Sequence, residues 1–147
     1  MTEESAGKLQ AAMANQAEKE NVLTAMADAL SAGDVKATMA LFTDGAIIKL
    51  LPTEMFPTGT FIGTGQIRFF IQHLITINFK SEFEILQVFG DIAITRSKTW
   101  KDTFIKLGIA PMDAIMVYSI QDGKIKGFIS ILTDESLAKL QAALAPK

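Results

Sequence analysis

Cysteine is absent from the 147-residue chain, which excludes disulfides, thiolate metal sites and cysteine nucleophiles together. Histidine, tryptophan and tyrosine occur once each. One histidine among scattered acids offers no metal-ligand spacing, so no metal site and no cofactor is expected. No segment reaches the roughly 18 apolar residues of a membrane span, and the opening "MTEESAGKLQ" lacks the basic start and apolar run of a secretory signal. The formal charge is −2 and no run of Lys or Arg forms a patch able to neutralise many phosphates, which argues against a nucleic-acid partner. The glycines of "GTFIGTG" lack the lysine and long preceding strand of a phosphate loop. A soluble, cytoplasmic protein with no membrane partner is the expectation.

Apolar residues, by contrast, are plentiful: 49% of the chain against 20% charged. That is more apolar surface than one small core uses, and an internal cavity, an oligomer interface or both would absorb it. The length suits one domain, read here as a flexible tail over residues 1–8 and a single domain over 9–147.

From Leu9 the stretch "LQAAMANQAEKENVLTAMADALSAGD" places Leu9, Met13, Leu23, Met26 and Leu30 at helical spacings, with Gly33 as a stop. Asp34 can cap a short helix "VKATMALF", and a strand "AIIKLL" follows, ended by Pro52. "PTEMFPTGTFIGTG" reads as a lid or rim loop with a brief strand around Phe61. Thr64 can cap a third helix whose stripe is Ile67, Phe70, Ile71 and Leu74. The period then changes to two, predicting strands over about 82–89, 91–101, 112–121 and 124–132, with tight turns at "GD" and "QDG". Asp134 starts a terminal helix. The plan is α+β: helices on one face of a curved antiparallel sheet.

Within that plan "GDIAITRSKTWKD" is the stretch that raises a chemical question. Alternation puts Ile92, Ile94, Arg96, Lys98 and Trp100 on one face and Ala93, Thr95, Ser97, Thr99 and Lys101 on the other. Either the two cations look into a pocket where positive charge has work to do, or that face runs out into water.

Two further stretches, "ALSAGDVKATMALFTDGAIIKLLP" and "VYSIQDGKIKGFISILTD", resemble the opening and the last hairpin of the nuclear transport factor 2-like superfamily, with "FIGTGQIRFFI" similar to its glycine-led third helix. The resemblance covers about residues 20–135 and lies closest to the SnoaL-like branch. It implies a cone-shaped curved antiparallel sheet packed against three N-terminal helices, plus a short C-terminal helix. It also implies an apolar pocket between sheet and helices, and dimerisation through the opposite sheet face. The scaffold hosts isomerases, hydrolases, polyketide cyclases and non-catalytic binders, so function has to come from the site. At the positions that resemble the catalytic residues of the steroid isomerases stand Leu50, Met26 and Met116, none of which transfers a proton. At those of the limonene epoxide hydrolases, Arg96 matches the arginine, but Lys98 and Ser130 replace the two aspartates and Ile48 and Leu50 the other pair.

The resemblance thus implies a pocket lined by Arg96, Lys98, Trp100, Tyr118, Ser130, Ile48, Leu50, Met112, Met116 and Phe128, with Ile94, Ala114 and Leu132 beside them. The expected ligand is a small hydrophobic molecule with an acidic or carbonyl oxygen near Arg96, and no catalytic set is assigned. For Arg96 the structural alternative is an ion pair with Glu54, Glu84, Asp113 or Asp134, because an unpaired buried guanidinium is too costly. Lys98 can snorkel at a rim, and Trp100 can line a mouth or fill the core. Tyr118 and Ser130 can orient a ligand oxygen or bond backbone. Two other functions stand beside binding. One is an enzyme of cyclase, isomerase or epoxide hydrolase type in which Glu54, Tyr118 or His73 serves; the other is a dimeric interaction module. A void above about 300 Å³ would favour the first two over the last. Ile115, Val117, Ile129 and Ile131 fall on the outer sheet face, where four β-branched residues predict a homodimer.

Overall fold

A computed structural model describes residues 2–51 and 59–145, so Glu54 and Pro52 lie outside the described residues. The first helix, α1, runs Glu3–Ser31 and starts earlier than its apolar spacing suggested, because Thr2 caps it by accepting the Ser5 N–H at 3.0 Å. Its first half is exposed, Leu9 and Met13 included, and only Val22, Leu23, Met26 and Leu30 of its large apolar residues enter the core. The helix docks on two sheet turns. Asn15 Nδ2 donates to Gly90 O at 2.8 Å, and Glu18 Oε1 accepts the Gly123 N–H at 3.0 Å. Helix α2, Val35–Met39, is capped by Asp34, which accepts the Ala37 N–H at 2.9 Å.

Strand β1 (Phe42–Leu51) and the short β2 (Thr60–Ile62) precede α3 (Gly63–Thr76). Thr64 does not cap α3. Gly63, at φ 82°, starts the helix, the Ile62 N–H donates to Gln66 Oε1 at 2.8 Å, and Thr64 Oγ1 reaches back to Asp44 O. The buried residues of α3 are Ile67, Phe70, Ile71 and Leu74, the stripe its periodicity predicts. Strands β3 (Lys80–Phe89), β4 (Ile92–Trp100), β5 (Met112–Gln121) and β6 (Lys124–Leu132) follow, then α5 (Asp134–Leu144). The β5–β6 turn holds Asp122 at φ 53° and Gly123 at φ 74°, the paired positive angles a tight twisted hairpin needs. Between β4 and β5 lies an element the sequence did not announce, α4 (Asp102–Lys106), which buries Phe104 against Met112 and Leu140.

The six strands form one curved, open sheet in the order β2-β1-β6-β5-β4-β3. It is mixed rather than antiparallel, because β1 pairs with β6 in parallel register. The other pairs are antiparallel. Tight hairpins force antiparallel neighbours, but β1 and β6 are distant in sequence and no turn dictates their sense. The two strands approach tightly at Gly127, where an added Cβ would lie 2.2 Å from Ile47 O. The main core fills the space between α1, α3 and the concave face, with Ile48, Ile67, Ile120 and Ile125 fully buried. Each such side chain contributes about 1.5–3 kcal/mol on leaving water. No described helix is long and apolar enough to cross a membrane.

Candidate functional site

Between the helices and the concave face a partly open cavity of about 100 Å³ remains. That falls short of the void of about 300 Å³ that would favour a binder or an enzyme over an interaction module, yet it is no filled core, being several times the roughly 10–15 Å³ one water needs. Met26, Leu30, Phe70, Ile71 and Leu74 form its helical wall, and Leu50, Met112, Ala114, Met116, Tyr118, Phe128, Ser130 and Leu132 its sheet wall. Of the pocket set expected from sequence, Leu50, Met112, Met116, Tyr118, Phe128 and Ser130 are therefore brought together here. Ile48 is fully buried in the core beside the cavity rather than on its wall.

Strand β4 presents the opposite face from the one expected. Arg96, Lys98 and Trp100 point away from the cavity, and Ala93, Thr95 and Ser97 are buried beneath the helices. Cross-strand register is the reason: Thr95 pairs with Met116, Ser97 with Ala114 and Thr99 with Met112, whereas Arg96 pairs with Ile115 and Lys98 with Asp113. Directly opposed residues share a face, so a one-residue difference in register exchanges the whole set. Arg96 takes the structural alternative: its Nη2 meets Asp113 Oδ2 at 3.1 Å with the arginine side chain 48% exposed, and Glu84 stands directly across from it on β3. A partner-rich exposed cation is cheap; two cations buried among isoleucines are not.

The cavity nevertheless has a basic edge, supplied by residues the sequence reading passed over. Lys101 is only 6% exposed and lines the cavity with Thr99 and Ser81, which are directly paired across β4 and β3. Just beyond β4 the chain turns at Asp102 into α4. Lys101 O accepts the Ile105 N–H at 3.0 Å, and Ile77 O accepts the Asp102 N–H at 2.9 Å, which together hold the lysine main chain in place. Its Nζ lies 4.4 Å from the centroid of the Phe104 ring, a contact that favours the ammonium by about 0.5–2 kcal/mol. Burial acts in the other direction and more strongly: loss of water around the ammonium lowers the pKa from 10.5 to about 8. The signal in the sequence was the small-residue series Ala93, Thr95, Ser97 and Thr99, which suits a wall under packed helices and carries Lys101 at its end.

Tyr118 sits deeper, fully buried, its ring 5.1 Å from that of Phe128. Burial raises its pKa well above the usual phenol value, so it remains a neutral donor. Its hydroxyl donates to Met116 Sδ at 3.4 Å, a weak bond that a ligand oxygen could replace. His73 is half-buried on α3 and does not line the cavity. Among the described residues the lining includes no carboxylate. The described lining thus offers an apolar chamber, one amine and several hydroxyls, and no base of carboxylate type.

The fold is thus a helix-backed, curved open sheet around an apolar cavity with a few polar groups at one edge. Residues 23–128 match the SnoaL-like domain model, and the chain belongs to that family. Solved structures agree on the fold. The epoxide hydrolase/cyclase-like enzyme SalBIII, with a role in pyran ring formation in polyether salinomycin, superposes with a TM-score of 0.66 at 17% identity, covering 82% of this chain and 94% of that one. A SnoaL-like protein of unknown function from Burkholderia thailandensis gives 0.63 at 17% identity over 80% and 97% of the two chains. A cystatin-like-fold protein of unknown function from Methylobium petroleophilum gives 0.65 at 16% over 80% and 77%. No curated protein matches the sequence.

Proposed function

We propose that this protein binds a small, largely apolar molecule carrying a carboxylate or carbonyl oxygen, with Lys101 as the cation that meets the oxygen and Thr99 and Ser81 beside it. The observation that carries the reading is a buried ammonium on the wall of a cavity that is otherwise largely apolar. At pH 7 a lysine of pKa about 8 is still about nine-tenths charged. A charge-assisted hydrogen bond to a ligand oxygen is worth roughly 1.5–3 kcal/mol, or about ten- to hundredfold in affinity. The cavity size favours a ligand of a few heavy atoms over a steroid or polyketide. Cyclase or hydrolase chemistry of the kind named for SalBIII is the second reading; against it stands the absence of a carboxylate base from the described lining.

The same reading includes a homodimer. Ile115, Val117, Ile129 and Ile131 lie on the convex face and are joined there by Ile47 and Ile94, with Lys49, Lys98, Glu82 and the Arg96–Asp113 pair at the margins. An apolar centre with a charged rim suits a self-complementary interface. A chain without cysteine also needs no oxidising compartment, in keeping with a cytoplasmic setting.

Thermal shift and calorimetry with pentanoate, pentan-2-one, pentan-1-ol and pentane test the ligand class. Pentanoate is expected to bind about ten- to hundredfold more tightly than pentanol at pH 7, and Lys101→Met to abolish that preference while sparing pentane. A series in which nothing binds, or a preference that survives in Lys101→Met, overturns the reading.

A further inference from the structure

Lys101 is the only amine among the described residues lining the cavity. The peptide group that follows it is fixed by two backbone hydrogen bonds, from the Ile105 N–H to Lys101 O and from the Asp102 N–H to Ile77 O, and the lysine Nζ lies over the Phe104 ring at the chamber edge. On the same wall stand the hydroxyls of Thr99 and Ser81, Ser130 and Tyr118 add two more, and the rest of the described lining is apolar. An amine held in an apolar chamber that admits small carbonyl compounds meets the requirements of covalent carbonyl capture. We propose that Lys101 condenses reversibly with small apolar aldehydes in this cavity, so that the protein captures them as imines. The inference rests on the reading that the cavity accepts a carbonyl ligand, and adds a covalent step to it.

The step balances without any co-reactant. The neutral Nζ attacks the aldehyde carbon, the C–N bond forms, and the carbonyl π pair moves to oxygen. That oxygen takes up the proton shed by nitrogen, giving a carbinolamine. Protonation of its hydroxyl and departure of one water then leave the C=N bond. Nothing is oxidised or reduced. Thr99 and Ser81 offer hydroxyls suited to bond the carbinolamine oxygen, and the apolar wall limits the water that would return the imine to aldehyde. The supply of neutral amine supports the same conclusion. With its pKa at about 8, Lys101 at neutral pH is unprotonated roughly 300 times more often than a lysine near 10.5. Tyr118, the other titratable group on the described wall, stays neutral and does not compete for the proton.

The test is reductive trapping on the full chain at pH 7: butanal with cyanoborohydride, read by intact mass and peptide mapping, with the N-terminal amine scored separately. The expected result is butylation of Lys101 first, about tenfold or more ahead of exposed lysines such as Lys8, Lys36 and Lys80. Lys101→Arg, which lacks the nucleophile, should lose that early product while the exposed lysines are butylated as in wild type. Label spread evenly over the exposed lysines, or Lys101 left unmodified, overturns the imine. If pentanoate still stabilises the wild-type chain in that case, the cavity reading stands and only the covalent step falls; if pentanoate fails as well, both fall.

Discussion

Replacing Lys101 by methionine keeps the length of an apolar stem and removes a charge that burial opposes, and its effect on stability should depend on pH in a way no exposed lysine can imitate. The pKa falls from 10.5 in the unfolded chain to about 8 in the folded one. At 1.36 kcal/mol per unit, that separation corresponds to about 3 kcal/mol. Between pH 8 and 10.5 the unfolded chain holds a proton that the folded chain has released, so stability of the wild type rises with pH across this window. Below pH 8 both states are protonated, the slope vanishes, and the folded state carries the whole cost. Urea unfolding of wild type and Lys101→Met at intervals from pH 7 to 10.5 reads the effect directly. The wild-type stability minus that of the variant should increase by about 3 kcal/mol from the lower limit to the upper. Tyr118, whose raised pKa weakens the fold at high pH, is present in both proteins and cancels in the difference. Parallel profiles would refute the reasoning. A wild type that gains on the variant as pH falls would refute it more sharply, because that sign belongs to a lysine whose charge the fold stabilises.

Ile129, 37% exposed on the convex face, should tolerate glutamate within the fold but not within a dimer interface: Ile129→Glu is expected to sediment as a 16.0 kDa chain where wild type sediments as a pair, and a wild type already monomeric at micromolar concentration removes the dimer. Gly127→Ala sets a methyl 2.2 Å from Ile47 O, and since main chain cannot move aside like a side chain, a loss of about 1–3 kcal/mol or more in urea unfolding is expected; an unchanged midpoint would contradict the tight β1–β6 approach. Arg96→Met removes a half-exposed ion pair worth about 0–1 kcal/mol and should leave the pentanoate preference intact in calorimetry, whereas loss of that preference would return the functional cation to Arg96.

Much of the architecture was legible because it is local. The α3 stripe, the Asp34 cap and the "QDG" turn are statements about residues within a few positions of each other, and all three stand in the fold. The inward sets of β5 and β6 were legible too, since Met112, Ala114, Met116 and Tyr118, with Phe128, Ser130 and Leu132, lie on the walls as their alternation and the family resemblance implied. Strand β4 was different. Alternation divides a strand into two faces but does not say which is inner, and here both carried a plausible story: isoleucines and tryptophan on one, small residues and a lysine on the other. Only pairing distinguishes them, and the pairing of β4 with β5 passes through α4 rather than a tight turn, so no short-range pattern sets its parity. The parallel β1–β6 pair, the turn into α4 and the position of Phe104 under the lysine were equally out of reach. The sequence by itself determined the elements, the apolar composition of the chamber and the family it resembles. The tertiary structure decided which cation the chamber receives, because the price of burying charge is set by neighbours that are distant along the chain: Arg96 found Asp113 on the outer face, and Lys101 was carried inward at the end of a wall of small residues.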